Sequence, residues 1–314
     1  MVGTLIRKFV RYCAVSLCVT FIVFALMYGN GEAIAHSVLG VKATPEAIAT
    51  KVSELGLDRP LFVQYGEWLT NALHGDLGRS FYTGQKVNEA LMQRVPVTFS
   101  IVIPSLLLAA VISVLLGVLA SVRGGVADRV VQTLSVLGNA IPSFIVAIAL
   151  VFFFAIWMKI LPPTGYVSPA VSISQWAATI TLPVLTLLVG GVASAAQQFR
   201  TAMLDTLGQD YVRTLRARGL SEANVIFRHV LRNAAAPGMT VVSLTVFNLL
   251  GGAVFIEQVF ALPGYGQLGN VSAQTSDVPM VMGTVAVTVV VVVVVNFVAD
   301  LLIAALNPKA RKNQ

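Results

Sequence analysis

Six runs of this chain are almost free of charge and long enough to cross a bilayer, and no other property restricts its fold as strongly. They lie within residues 12–31, 95–122, 130–158, 176–199, 233–256 and 278–299. Crossing about 30 Å of hydrocarbon takes roughly 20 apolar residues in a helix. Lipid offers the backbone no hydrogen-bond partners, so each run must satisfy its own peptide groups as a helix. This holds even for the seven consecutive valines Val289–Val295, although β-branched residues favour strands in water. The expected fold class is an all-α integral membrane protein with six transmembrane helices. Only 11% of its 314 residues are charged, against about 25% in a soluble domain.

The net charge of +7 does not mark a nucleic-acid binder, because the basic residues sit in short loops beside the runs and not on one face. In a six-span arrangement, 14 of the 21 basic residues fall on one side: Arg7, Lys8, Arg11, Arg123, Arg129, the six arginines from Arg200 to Arg232, Lys309, Arg311 and Lys312. That asymmetry predicts a multi-pass membrane protein with both termini in the cytoplasm. Cys13 and Cys18 lie inside the first run and read as small apolar fillers. The basic start and Ala33-Ile34-Ala35 also fit a secretory signal, but the apolar stretch from Tyr12 to Tyr28 is longer than such signals use.

Four divisions follow from the pattern: 1–29, the N-terminus and first span; 30–97, a small helical extracytoplasmic lid; 98–307, five further spans; and 308–314, a cytoplasmic tail. In the lid, Thr44-Pro45-Glu46 reads as N-cap, Pro at N1 and first-turn acid, with Gly56 ending the helix. A second helix is expected from Pro60 to Leu73 and a third, short one from Val87 to Arg94. Pro142 should kink the third span, while Gly190-Gly191 and Ala193-Ser194-Ala195-Ala196 permit close helix approach in the fourth. Asn139, Ser143 and Asn248 are polar groups in otherwise apolar helices and are candidates for lining a pathway. Asp300, four residues after Asn296, reads as a cap near the end of the last span. Phe260–Leu268 is too rich in Gly and Pro to predict a regular element.

No nucleotide-binding P-loop is present, nor a His-Glu-x-x-His or Cys/His metal pattern. His36, His74 and His229 are scattered, and nothing marks a nucleophile elbow. No catalytic residue, metal or cofactor is therefore expected.

The Arg-rich loop between the fourth and fifth spans is different. Asp210, Tyr211, Arg213, Arg216, Arg218, Gly219, Glu222, Arg228 and His229 surround apolar residues at helical spacing. A short helix, a Gly turn and a second helix from Ser221 to Leu231 are expected, with Ser221-Glu222 as the cap. Such a pair buries one face and offers the other to a partner.

Over nearly its whole length, the chain also resembles a known family. The stretch Asp210–Pro237 is similar to the cytoplasmic coupling loop (201–235 here) of type I ABC importer permeases, and is closest to the dipeptide/oligopeptide branch. Leu55-Gly56-Leu57-Asp58-Arg59-Pro60-Leu61 with Gln64-Tyr65 resembles that branch too. So do Gly75-Asp76-Leu77-Gly78-Arg79-Ser80, Pro263-Gly264-Tyr265-Gly266-Gln267-Leu268, Asp277 with Pro279, and Asn296…Asp300…Asn307-Pro308. The resemblance implies the type I importer transmembrane fold, a second permease subunit, two ATPase subunits that bind ATP and Mg, and an extracytoplasmic solute-binding protein. It makes the region around Gly219 the ATPase-docking segment. The lid and the Pro263–Leu268 loop, with Gly75, Asp76, Gly78, Pro263, Gly264 and Gly266, become candidates for receiving the binding protein. Two departures stand out. Arg213-Thr214-Leu215 replaces the broader family's Glu-Ala-Ala, and Asn30-Gly31-Glu32-Ala33 replaces the branch's Pro-Gly-Asp-Pro. The cargo implied is peptide, with nickel chelates, glutathione or haem as alternatives. A secondary transporter would need mid-membrane ion sites, and a scaffold would be indifferent to ATPase activity.

Overall fold

A computed structural model describes residues 2–29, 31–40 and 42–306, with the side chains of 2–5, 235–243 and 302–306 outside the description. Asn30, the Pro237 side chain, Asn307-Pro308 and the three basic residues of the tail therefore lie outside the described residues. Every extended element among the described residues is helical: α1 (Val2–Tyr28), α2 (Gly31–Leu39), α3 (Pro45–Glu54), α4 (Leu61–Leu73), α5 (Val87–Arg123), α6 (Gly125–Ala140), α7 (Ser143–Leu150), α8 (Ile173–Leu207), α9 (Asp210–Ala217), α10 (Glu222–Asn224), α11 (Leu231–Val259), α12 (Tyr265–Gln274) and α13 (Val278–Leu306).

Four of these helices are long and apolar enough to cross a membrane, within Ile6–Tyr28, Val87–Arg123, Ile173–Leu207 and Val278–Leu301. The pair Gly125–Ala140 and Ser143–Trp157 is apolar enough to make a fifth crossing if it counts as one span, but its halves meet at 96°. The run expected at 233–256 falls in α11, a 29-residue helix whose described apolar part is Leu244–Val259.

Three expectations are corrected. The short helix at 87–94 is the first part of α5, a 37-residue helix that continues through Pro96 and Pro104. A proline removes one hydrogen bond, but in a membrane helix neighbouring groups can satisfy the freed carbonyl. The kink expected at Pro142 is a break. Ile141 is extended (φ −85°, ψ 119°), as the residue before a proline prefers to be, and α7 restarts at Ser143, continuing as a π-helical segment over Val151–Trp157. The loop expected at 260–268 contains the start of α12, with Gly264 as its N-cap.

Two compact units are present. One comprises Val2–Thr98 with Pro263–Val293, the other Phe99–Leu262 with the chain from Val294 onward. In the first, Thr44 caps α3 by accepting from the Ala47 amide at 3.3 Å, and Gly56 (φ +65°) follows its end, both as expected. Phe24, Ile34, Leu57, Val278 and Met282 form a buried cluster there. In the second unit, a Cβ on Gly138 would stand 2.8 Å from that of Ala193. The small residues of α8 thus meet α6 at near backbone contact, and Ala193, Ala195 and Ala196 are buried.

Candidate functional site

The Arg-rich loop forms a helical hairpin continuous with the spans on both sides. α8 ends at Leu207, and after Gly208-Gln209 the chain enters α9. Gly219 (φ +79°) closes α9. Its amide donates to the Arg216 carbonyl at 2.9 Å and the Leu220 amide to the Leu215 carbonyl at 3.4 Å. That is the hydrogen-bond pair of a Schellman motif, in which the left-handed residue is usually glycine. Leu215 and Leu220, the positions that usually make the motif's apolar contact, both pack on the same buried cluster. Beyond the turn, α10 runs into a π-helical segment, Val225–Val230, and then directly into α11. The expected second helix is therefore the leading end of the fifth span. Ser221 sits at the N-cap but makes no side-chain cap.

The hairpin has a dry face and a wet one. Val212, Val225, Ile226 and Val230 are buried with Phe199, Ala202, Met203 and Ala234, flanked by Tyr211, Val114 and Val118. Tyr211 accepts a hydrogen bond from Asn233 at 2.8 Å. These contacts make the hairpin one body with the end of α8 and the start of α11. On the wet face, Arg216 and Glu222 clasp the two arms at 2.7 and 3.2 Å, and Arg213 lies 3.8 Å from Asp210. Arg218 and Arg228 are exposed, with no ion-pair partner among the described residues; His229 is half-buried. Sequence reading missed Phe227, which stands 63% exposed among these charges.

One ion pair ties this region to the preceding turn. The Arg200 guanidinium makes a two-pronged contact with Asp128, one bond measuring 2.6 Å. Gln132 supports the same carboxylate at 2.9 Å. Beside it, a Cβ on Gly117 would lie 2.9 Å from the Phe199 ring and 3.0 Å from the Arg200 amide. α5, α6 and α8 therefore meet here with no room for a larger residue.

The other candidates fall into two groups. In the first unit, Asp76 accepts from the Gly78 amide at 2.9 Å. Gly75 (φ +84°) and Gly78 (φ +86°) adopt conformations that favour glycine. Leu77, between them, packs in one cluster with Tyr265 and Leu268, which brings this turn together with the segment holding Pro263, Gly264 and Gly266. Ser80 donates to Asp277 at 2.5 Å and the Phe81 amide to the same carboxylate at 3.1 Å. In the second unit, Asn139 accepts from Ser194 at 2.6 Å and donates to the Ser135 carbonyl at 2.9 Å. Ser143 opens α7, and Asn248 is exposed on α11. Asn139 thus has polar partners within the helices, which is how a polar group is accommodated at membrane depth. Among the described residues, no cluster of His, Cys, Asp and Glu could hold a metal ion.

Two family profiles match this chain, covering most of it between them. Residues 113–312 match the binding-protein-dependent transport system inner membrane component, and residues 1–102 match the N-terminal portion of the binding-protein-dependent transport system membrane component. A relative from Brucella abortus (strain 2308), named as a peptide transport system permease protein, is 35% identical over 312 residues, 99% of each chain. The glutathione transport system permease protein of Salmonella choleraesuis is 34% identical, again over 99% of each. Among solved structures, the inward-facing MetNI methionine ABC transporter matches with a TM-score of 0.55 at 19% identity, over 69% of this chain and 96% of that one. It shares the fold. The chain belongs to the family of binding-protein-dependent transport permeases, the membrane subunits of type I ABC importers.

Proposed function

We propose that this permease forms half of the translocation pathway of an ATP-driven importer of peptides, and that the 210–230 hairpin is the lever through which cytoplasmic ATPase subunits work it. One observation carries the reading. The hairpin is fused by its buried face to the ends of α8 and α11, while its exposed face presents Arg213, Arg218, Arg228 and Phe227. A partner that grips the exposed face moves two spans at once. The chain itself carries no nucleotide-binding motif, so hydrolysis belongs to that partner. Both termini then lie with the hairpin in the cytoplasm, and the segment after α1 faces the solute-binding protein. A second permease completes the pathway.

ATP binding draws the two ATPase subunits together, and each hairpin moves with its subunit. The spans exchange between inward-open and outward-open states, with nucleotide favouring one and the loaded binding protein helping to set the balance. Moving a two-state equilibrium from 1:99 to 99:1 takes about 5.5 kcal/mol of differential binding, so each docking contact counts. The peptide cargo rests on the names of the relatives. The glutathione permease among them is itself a carrier of a small peptide.

The test is co-purification of the tagged chain with its ATPase subunits. Reversing Arg213 and Arg218 to Glu together, or changing Phe227→Ser, should abolish co-purification while the chain still inserts. Undiminished co-purification of both variants would remove the hairpin from the interface.

A further inference from the structure

We propose that α8 floors a water-filled groove through which peptide passes, and that Asn139, Ser194, Gln197, Thr201 and Asn248 hydrogen-bond the peptide backbone there without selecting side-chain charge. The role as a peptide pathway rests on the importer reading above. The groove itself lies wholly within the second unit.

Two neighbours grip α8 and leave one side open. α6 packs on Ala193 through Gly138, and Ser194 donates to Asn139 at 2.6 Å. α11 packs on Gly191, where a Cβ would stand 3.5 Å from Leu249 and 3.8 Å from Thr245. At 3.6 residues per turn, Gly191 and Ala193 point about 160° apart. On one arc between them, Ala195, Ala196, Phe199 and Met203 are buried. Gly190, Ser194, Gln197 and Thr201 fall on the other arc. There Gly190, Gln197 and Thr201 are exposed, as is Asn248 on α11, and a Cβ on Gly190 would meet nothing within 4 Å. The open side of α8 is thus the floor of a groove walled by α6 and α11.

The lining is wrong for lipid. The exposed stripe of α5 reads Ile103, Leu107, Val111, Leu115 and Leu119, side chains that lipid accepts. α8 offers Ser194, Gln197 and Thr201 instead. Gly190 precedes Arg200 by ten residues, about 15 Å, so the groove reaches roughly half of the 30 Å hydrocarbon above the Arg200–Asp128 ion pair. Asn248, beside Leu249 at that level, is exposed and has no hydrogen-bond partner among the described residues. Lipid would leave its amide unsatisfied, and polar side chains at membrane depth face protein or water. Water follows from continuity, because the same arc of α8 runs on past Arg200 to the exposed Asp205. The lining is also uncharged, since Arg200 is turned onto Asp128. Alcohol and amide side chains both donate and accept. They match the peptide groups of any sequence, and no unit charge among them favours acidic or basic cargo.

The test uses the complete transporter. ATP-driven uptake of a lysine-containing and a glutamate-containing tripeptide into proteoliposomes is compared for the native chain, Gln197→Glu and Gln197→Lys. One binding protein serves throughout, so its own preference cancels. The lysine-to-glutamate uptake ratio should rise roughly fivefold for Gln197→Glu and fall about as much for Gln197→Lys, the effect of a unit charge about 4 Å away in water. Equal ratios in all three, with native uptake intact, would overturn the groove and leave the importer reading standing. Failure of native uptake would overturn the importer reading, and the peptide role with it.

A second measurement reads the groove without added charge, and decides the matter if a charged variant fails to assemble. In a Cys13→Ser, Cys18→Ser background, the complex carrying Gln197→Cys, Asn248→Cys or Leu107→Cys is placed in nanodiscs. Each is treated with a charged, membrane-impermeant thiol reagent. Positions 197 and 248 should react at least several-fold faster than 107. Reaction at both no faster than at 107 would place that face in lipid or against the second permease, and would overturn the proposal.

Discussion

A graded substitution series at Gly219 isolates the hairpin turn. Gly219 holds φ at +79°, and a Cβ built on it meets nothing within 4 Å. A side chain there costs only what the backbone conformation costs, about 1–2 kcal/mol for an ordinary L-residue. Asn, which tolerates this conformation, should cost less. Proline cannot reach positive φ and has no N–H, so Gly219→Pro also loses the 2.9 Å bond to the Arg216 carbonyl and must open the turn. About 1.4 kcal/mol is tenfold in an equilibrium. ATP-driven uptake into proteoliposomes containing the complete transporter should therefore fall in the order Gly, Asn, Ala, Pro. Ala should lose roughly five- to thirtyfold, and Pro should be inactive. Membrane levels of all four should match, because the turn is exposed and the spans do not depend on it. Uptake by Gly219→Pro at the level of the native protein, with equal amounts inserted, would refute the role given to this turn.

Three further outcomes are expected. Arg216 and Glu222 are both substantially exposed, so breaking the clasp with Glu222→Gln should cost under about 1 kcal/mol. The double reversal Arg216→Glu with Glu222→Arg should recover uptake lost by either single reversal. Asp277→Ala leaves the buried Ser80 hydroxyl and the Phe81 amide without their acceptor, a loss of about 1–3 kcal/mol. Limited proteolysis should then cut within residues 75–86 at protease concentrations that spare the native protein. A Cβ on Gly283 would come 2.2 Å from Val87 Cγ1, so Gly283→Ala should lower the unfolding temperature in detergent through overpacking of about 1–3 kcal/mol. Adding Val87→Ala should restore most of it.

Much of this architecture could be read before any coordinates. Charge-free runs report helices in lipid because the solvent leaves no other choice, and the Thr44-Pro45 start and Gly56 stop of α3 follow from local capping chemistry. The Gly219 turn was legible for the same reason. What escaped depends on distant partners or on helix phase. Ser80 and Asp277 are 197 residues apart, and nothing local marks their bond. Phe227 reads as a core residue at regular helical spacing. The π-helical segment over Val225–Val230 changes the angular phase and leaves it exposed. Pro96 suggested a helix end where α5 continues. The glycines around Tyr265 suggested a loop, where burial of Tyr265 and Ser272 holds a helix against its propensity.

Energy supplied from outside the chain is the heart of this account, and a flux measurement reaches it directly. Proteoliposomes would hold the chain, its partner permease and the ATPase subunits, with the binding protein and a labelled short-peptide mixture added outside. Peptide should accumulate when hydrolysable ATP is enclosed, and should not accumulate with a non-hydrolysable analogue or without the ATPase subunits. Accumulation by vesicles holding the chain alone would contradict the account.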